Sequence, residues 1–424
     1  MKIFRLFVAF ALVCFGLSPV VQALSPAPDG CYPGFTTAEG CDALNLLTAG
    51  EANTGLGWRA LFSVGAGNFN TAVGAGALVL NAADSNTAIG TAALLLNTNG
   101  TENTANGTAA LEFNETGSDN TANGAFALFN NTGNDNTAIG NRAMFNNTTG
   151  DQNTAVGGTS VGGPALFSNT TGRFNTAVGG GTLSNNTVGG DNTAVGAGAL
   201  QFNISGFENV AVGLNALNSS TGNNNVALGN YAGFAATNGS NNIYIGFMME
   251  GTAGESNACY IGSIFGQTAS NGGTAVFVDA SNKLGTMTSS KRYKEDIQQM
   301  GTTSEALFAL NPVTFRYKKQ IDPLGKPQFG LVAEDVEKVN PDLVVRDKEG
   351  KPYSVRYDAV NAMLLNEFLN EHKAFVEQQG KVREQGATIA RQQKQIEALT
   401  AGLQKVSAQL ELNKPAPQTV LNNH

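Results

Sequence analysis

A mainly β repeat rod, wound as a parallel β-solenoid or β-roll and followed by a small α/β domain and a C-terminal coiled coil, is the fold class that the 424 residues predict. Three observations predict it. A unit with the core Asn-Thr-Ala-x-Gly recurs every 16 or 17 residues through the middle of the chain, and a fixed short period means a repeat architecture. Of the 25 Lys and Arg residues only Lys2, Arg5, Arg59, Arg142 and Arg173 precede residue 280, which marks two regions with different physics. Near the end, Phe368, Phe375, Val382, Ile389, Ile396, Leu403 and Leu410 recur at every seventh position, the period of a left-handed coiled coil.

The first 23 residues read as a secretory signal peptide: Lys2 and Arg5, the apolar run Leu6 to Leu17, then Val21-Gln22-Ala23 as a small-residue cleavage site. The run is too short for a transmembrane helix, and no later stretch approaches the roughly 20 apolar residues that a span requires. Val13 precedes Cys14 where a lipoprotein signal would want a small residue. The expectation is a secreted or cell-surface protein without a transmembrane span. The next segment, 24–52, carries Cys31 and Cys41 on either side of a short loop, where export would permit a disulfide. Cys259 reads as a small buried apolar residue. A net charge of −8 argues against nucleic acid as a partner, since phosphate binding needs clustered Lys and Arg.

Residues 53–280 are assigned to the repeats, from a degenerate copy near Asn53, through Asn70, Asn86 and their successors, to a last copy near Asn257. The period is too short for a helix-pair solenoid and fits one rung of a β-solenoid. In the unit that starts at Asn192, Ala194, Ala199 and Leu200 can point inward, and Gly196 sits where the chain turns with positive φ. The Asn that heads each unit would stack on the next to form an amide ladder. At ~4.8 Å per rung, a dozen units build a rod roughly 60 Å long. The many Asn-x-Thr triplets are by-products of the repeat rather than glycosylation signals. Catalytic carboxylates of a glycosidase must face each other across a groove, whereas Asp84, Glu102, Glu112, Glu115, Asp119, Asp135, Asp151, Asp191 and Glu208 mostly fall in polar turns. The two histidines, His372 and His424, lie outside the rod, which leaves it without a His-based triad or zinc site, and no cofactor is expected.

After a linker at 281–288, Ser289-Ser290-Lys291-Arg292-Tyr293-Lys294 places a hydroxyl five residues before a Lys. A hydroxyl becomes a nucleophile when a base takes its proton, and a Lys can serve where burial or neighbouring cations favour its neutral form. On spacing alone a solvated basic linker is the stronger reading. Residues 289–358 read as a small mixed unit, with strands at Pro312 to Tyr317, Gln328 to Val332 and Tyr353 to Tyr357 and a short helix at Glu334 to Asn340. From 359 to 412 the chain reads as one helix, stopped by Lys414-Pro415-Ala416-Pro417, with a disordered tail from 413. Its second core column holds Glu371, Gln378, Gln385, Gln392, Leu399 and Val406, and such polar layers restrict register and partner number.

Residues 289 to about 412 resemble the endosialidase-type intramolecular chaperone domain, a self-cleaving serine peptidase family. The family opens with Ser-Asp-x-x-x-Lys-x-Asp-Ile; Ser289, Lys294, Asp296 and Ile297 match, while Ser290 replaces Asp. Leu310-Asn311-Pro312-Val313-Thr314-Phe315, Phe329-Gly330-Leu331-Val332-Ala333-Glu334-Asp335-Val336 and Tyr357-Asp358 follow in the family's order, with Glu334 where Gln is usual. The resemblance implies three chains and cleavage of the Thr288-Ser289 bond; Ser289 is expected to act as nucleophile and Lys294 as its base, with assembly bringing the two into a working pair. The repeats are loosely similar to the β-roll heads of YadA-like trimeric autotransporter adhesins, although no outer-membrane barrel follows. Together these imply a homotrimeric fibre or adhesin with a host surface or glycan as ligand. The alternatives are a secreted polysaccharide-degrading spike and a trimerisation module that does not cleave.

Overall fold

The computed structural model describes residues 33–159, 162–267, 273–279 and 281–413. The expected signal peptide, Cys31 of the expected Cys31–Cys41 pair and the tail beyond 413 lie outside the described residues. Two units divide the chain, at Thr268 and Ala269.

The first unit is a parallel solenoid of 14 three-residue strands in strict chain order, from β1 (Thr37–Glu39) to β14 (Cys259–Ile261). It begins one rung before the expected start at residue 53, because Thr36-Thr37-Ala38-Glu39-Gly40 is a repeat core with Thr in place of its leading Asn. Each strand places its first and third residues outward and its middle residue in the core. The middle residue is Ala in most rungs, and Ala72, Ala88, Ala105 and Ala122 have no exposed surface. Past the strand a tight loop inserts a second small residue and a Leu: Ala199 and Leu200, like Ala194, are fully buried as expected. Burying one Leu contributes about 2 kcal/mol.

That loop demands unusual backbone. Leu78, Leu94, Leu111, Leu128 and Leu200 all have φ between 50° and 53°, a conformation that costs an L-residue about 1–2 kcal/mol. Burial offsets it, together with a rung-to-rung bond such as Leu94 N to Ala110 O at 2.9 Å. At the strand end the chain turns through a glycine that nothing else can replace. Gly124 has φ +142°, and a Cβ there would lie 2.6 Å from the carbonyl group of Gly140 in the next rung.

The predicted Asn ladder is present. Asn70 donates from its amide to Asn53 Oδ1 (3.1 Å) and Ala83 O (2.9 Å), and its own Oδ1 accepts from Asn86 N (2.9 Å). The pattern runs to Asn242, whose Oδ1 accepts from Ala258 N. A second buried ladder, absent from the sequence-based expectation, stands beside it: Asn97 donates to Asn81, Asn114 to Asn97, Asn131 to Asn114 and Asn147 to Asn131, at 2.6 to 3.2 Å. Tyr244 takes the core position that Ala holds in earlier rungs and stacks on Tyr260 at 5.7 Å, filling the end of the core. Cys259 is exposed, not buried, because it heads its strand and so points outward.

The last expected repeat copy, near Asn257, is present as β14, and the second unit then opens with a hairpin that spans the end of the 53–280 assignment and most of the 281–288 linker. Val276–Val278 (β15) and Leu284–Thr286 (β16) pair antiparallel as a hairpin, closed by Asp279 Oδ1 accepting from Ser281 N and Lys283 N. Two further hairpins follow, Val313–Phe315 (β17) with Gln328–Gly330 (β18) and Val344–Arg346 (β19) with Pro352–Val355 (β20). Ala333–Val339 (α1) and the helix Tyr357–Leu412 (α2) complete the unit. Val336, Leu343, Val344, Val355, Val360 and Met363 form its small core. Among the described residues no helix is long and apolar enough to cross a membrane.

Candidate active site

The segment after β16 is held in shape by short-range bonds. Ser290 N donates to Thr288 Oγ1 at 3.4 Å, and Lys291–Tyr293 forms one turn of 3-10 helix with Ser290 as its N-cap. Lys294 leaves that turn in extended conformation, and its Nζ lies 3.1 Å from Ser289 Oγ. The two residues singled out in the sequence are therefore in contact within one chain. A single local turn is enough for this contact. Both side chains are exposed.

The pair opens into a cleft of about 1230 Å³. Its lining combines β15 and β16, Met287, Thr288, Ser289 and Lys294 with Val345, Tyr353, Tyr357 and Asp358 from later in the chain. The blocks that were separate in sequence are tied together here. Tyr357 Oη accepts from Leu331 N at 3.0 Å, which locks the start of α2 to the segment after β18. On the other side of α2, the buried Ser304 bonds to Glu367 and accepts from Asn366 Nδ2 at 2.7 Å. The Tyr357 contact was not foreseen, although Tyr357 opens a block already recognised.

The heptad positions expected to form a coiled-coil core, Phe368, Phe375, Val382, Ile389, Ile396, Leu403 and Leu410, all lie on α2 and are 56 to 70 % exposed. Among the described residues nothing covers them. In the solenoid, the turn acids have structural work or stand in solvent. Asp84 and Asp151 accept from Asn68 N and Asn134 N of the preceding rungs, and Asp151 also pairs with Arg173 at 3.5 Å. Glu102, Asp119, Asp135, Asp191 and Glu208 are exposed at left-handed positions of their turns. Glu112 differs: burial pushes its carboxyl up from 4.5 to about 7.

No curated protein and no solved structure matches the chain. One family model does, over residues 289–345, the stretch that begins at Ser289 and holds Lys294, β17, β18 and α1: it is the family described as the chaperone of endosialidase.

Proposed function

We propose that the chain is an exported homotrimeric fibre or adhesin-like protein whose C-terminal region trimerises, guides assembly of the solenoid, and then cleaves itself off at Thr288-Ser289. The observation that carries this reading is the 3.1 Å contact between Lys294 Nζ and Ser289 Oγ at the first residues of a segment that matches a chaperone family. The exposed heptad on α2 supports self-association, because seven apolar layers in water are stable only when other helices cover them. Gathering three chains raises the local concentration of solenoid segments, whose strand pairing is slow to nucleate.

The chemistry of this reading is that of a Ser-Lys pair. Lys294, as the neutral amine, accepts the proton of Ser289 Oγ while the oxygen attacks the carbonyl carbon of Thr288. The C–O bond forms, the Thr288–Ser289 C–N bond breaks, and the proton held by Lys294 passes to the departing amine of Ser289. Water then hydrolyses the ester, leaving a Thr288 carboxylate and a free Ser289 hydroxyl. Lys294 is exposed in the single chain, so packing of further chains over the cleft would supply the water exclusion that favours a neutral amine. Trimerisation would thus act on the environment of the pair rather than on its distance.

N-terminal sequencing of the smaller fragment from the assembled protein tests the reading. It should begin Ser-Ser-Lys-Arg; a fragment that begins elsewhere assigns the cut to another peptidase.

A further inference from the structure

We infer that Ser290 is a positioning residue for the Ser289–Lys294 pair, acting by capping the turn that folds Lys294 back onto Ser289. The inference rests on the self-cleavage proposed above. Five residues of extended chain would span roughly 17 Å, so a turn must intervene for the two side chains to touch. That turn is the 3-10 helix Lys291–Tyr293, whose backbone bonds are Tyr293 N to Ser290 O (3.0 Å) and Lys294 N to Lys291 O (3.2 Å). So short a helix has no neighbouring turns to hold it, and its first N–H groups need partners from outside.

Ser290 supplies one. Its Oγ accepts from Arg292 N at 3.4 Å and from Arg292 Nε at 3.3 Å, while its own N–H is held by Thr288 Oγ1. It is half-buried, whereas Ser289 and Lys294 on either side of the turn are exposed. The cap therefore fixes both ends of the dyad: the peptide to be cut on one side and the turn that delivers the base on the other. A hydroxyl does this without charge. A carboxylate at 290 would cap equally well but would place a negative charge beside the pair, and that charge would favour the ammonium form of the base.

The test follows fragment appearance from the full chain between pH 6 and 10, for wild type, Ser290→Ala, Ser290→Thr and Ser290→Asp. Loss of a cap should slow cleavage by Ser290→Ala about five- to tenfold at every pH, with Ser290→Thr restoring the rate to within about threefold of wild type. Ser290→Asp should keep the maximal rate to within about threefold, since a carboxylate can also accept from Arg292 N. Rescue by Ser290→Thr, which keeps the accepting hydroxyl, separates a cap from a side chain that merely fills space. Ser290→Ala at the wild-type rate, or Ser290→Thr as slow as Ser290→Ala, overturns the role of Ser290 while leaving self-cleavage intact. A wild type that assembles and stays whole overturns both.

Discussion

Asn136 shows what one side chain contributes to the rod. Its Oδ1 accepts from Asn153 N and Asn153 Nδ2 at 3.0 and 3.1 Å, and its Nδ2 donates to Gly150 O at 2.8 Å, all without exposed surface. Asn136→Ala leaves the buried Asn153 N–H without a partner, so the solenoid should lose about 2–4 kcal/mol, read as a lower denaturation midpoint. Glu112 gives a pH dependence. The register places it between Leu95 and Phe129, and its folded carboxyl titrates near 7 rather than 4.5. Between those values the unfolded chain ionises and the fold does not, so the stability present below about 4.5 is lost as pH rises through 7. Glu112→Gln should flatten that slope and stabilise the rod at pH 8 by about 1 kcal/mol, discounted for partial exposure. Thermal melts across pH 4 to 8 check it.

At the scale of the element, one rung is a compromise between backbone strain and close stacking. Gly124→Ala drives a Cβ to 2.6 Å from Gly140 and should cost more than about 3 kcal/mol or prevent folding. Gly163, with φ +95° and nothing within 4 Å of a Cβ, should tolerate Ala at about 1–2 kcal/mol. Unfolding midpoints of the two variants separate packing from strain. The rung was legible in the sequence because Asn, Ala and Gly each answer one geometric demand and recur with it. The second ladder has a fainter signal, outside the repeat core: Asn81, Asn97, Asn114 and Asn131 each stand three residues after a core Leu. The first rung was missed because Thr36 lacks the Asn signature while its strand neighbours still pair. The hairpin at 276–286 was hidden by its exposure, since neither face alternates apolar with polar. In the site, Ser289 and Lys294 were legible from the order of blocks, but the 3-10 turn that joins them depends on Ser290, whose neutral side chain carries little signal on its own.

For the whole molecule, the division of labour lies between a solenoid that each chain closes by itself and a helix that a single chain leaves bare. The core of every middle rung is complete within one chain, so trimer formation should depend on α2 more than on the rod's interior. Ile389→Asp combined with Ile396→Asp should turn trimers into monomers by light scattering and slow cleavage more than tenfold, since two central layers would then bury charge. Full-rate cleavage by such monomers would show that the local turn alone is sufficient. The central claim is that Ser289 and Lys294 cut the chain that carries them. Intact mass under denaturing conditions, for wild type, Ser289→Ala and Lys294→Ala, addresses it directly. The account predicts two wild-type fragments that meet at Thr288-Ser289 and a single uncut chain for each variant. A wild type that stays whole after assembly, or a Lys294→Ala variant that still divides at that bond, would contradict it.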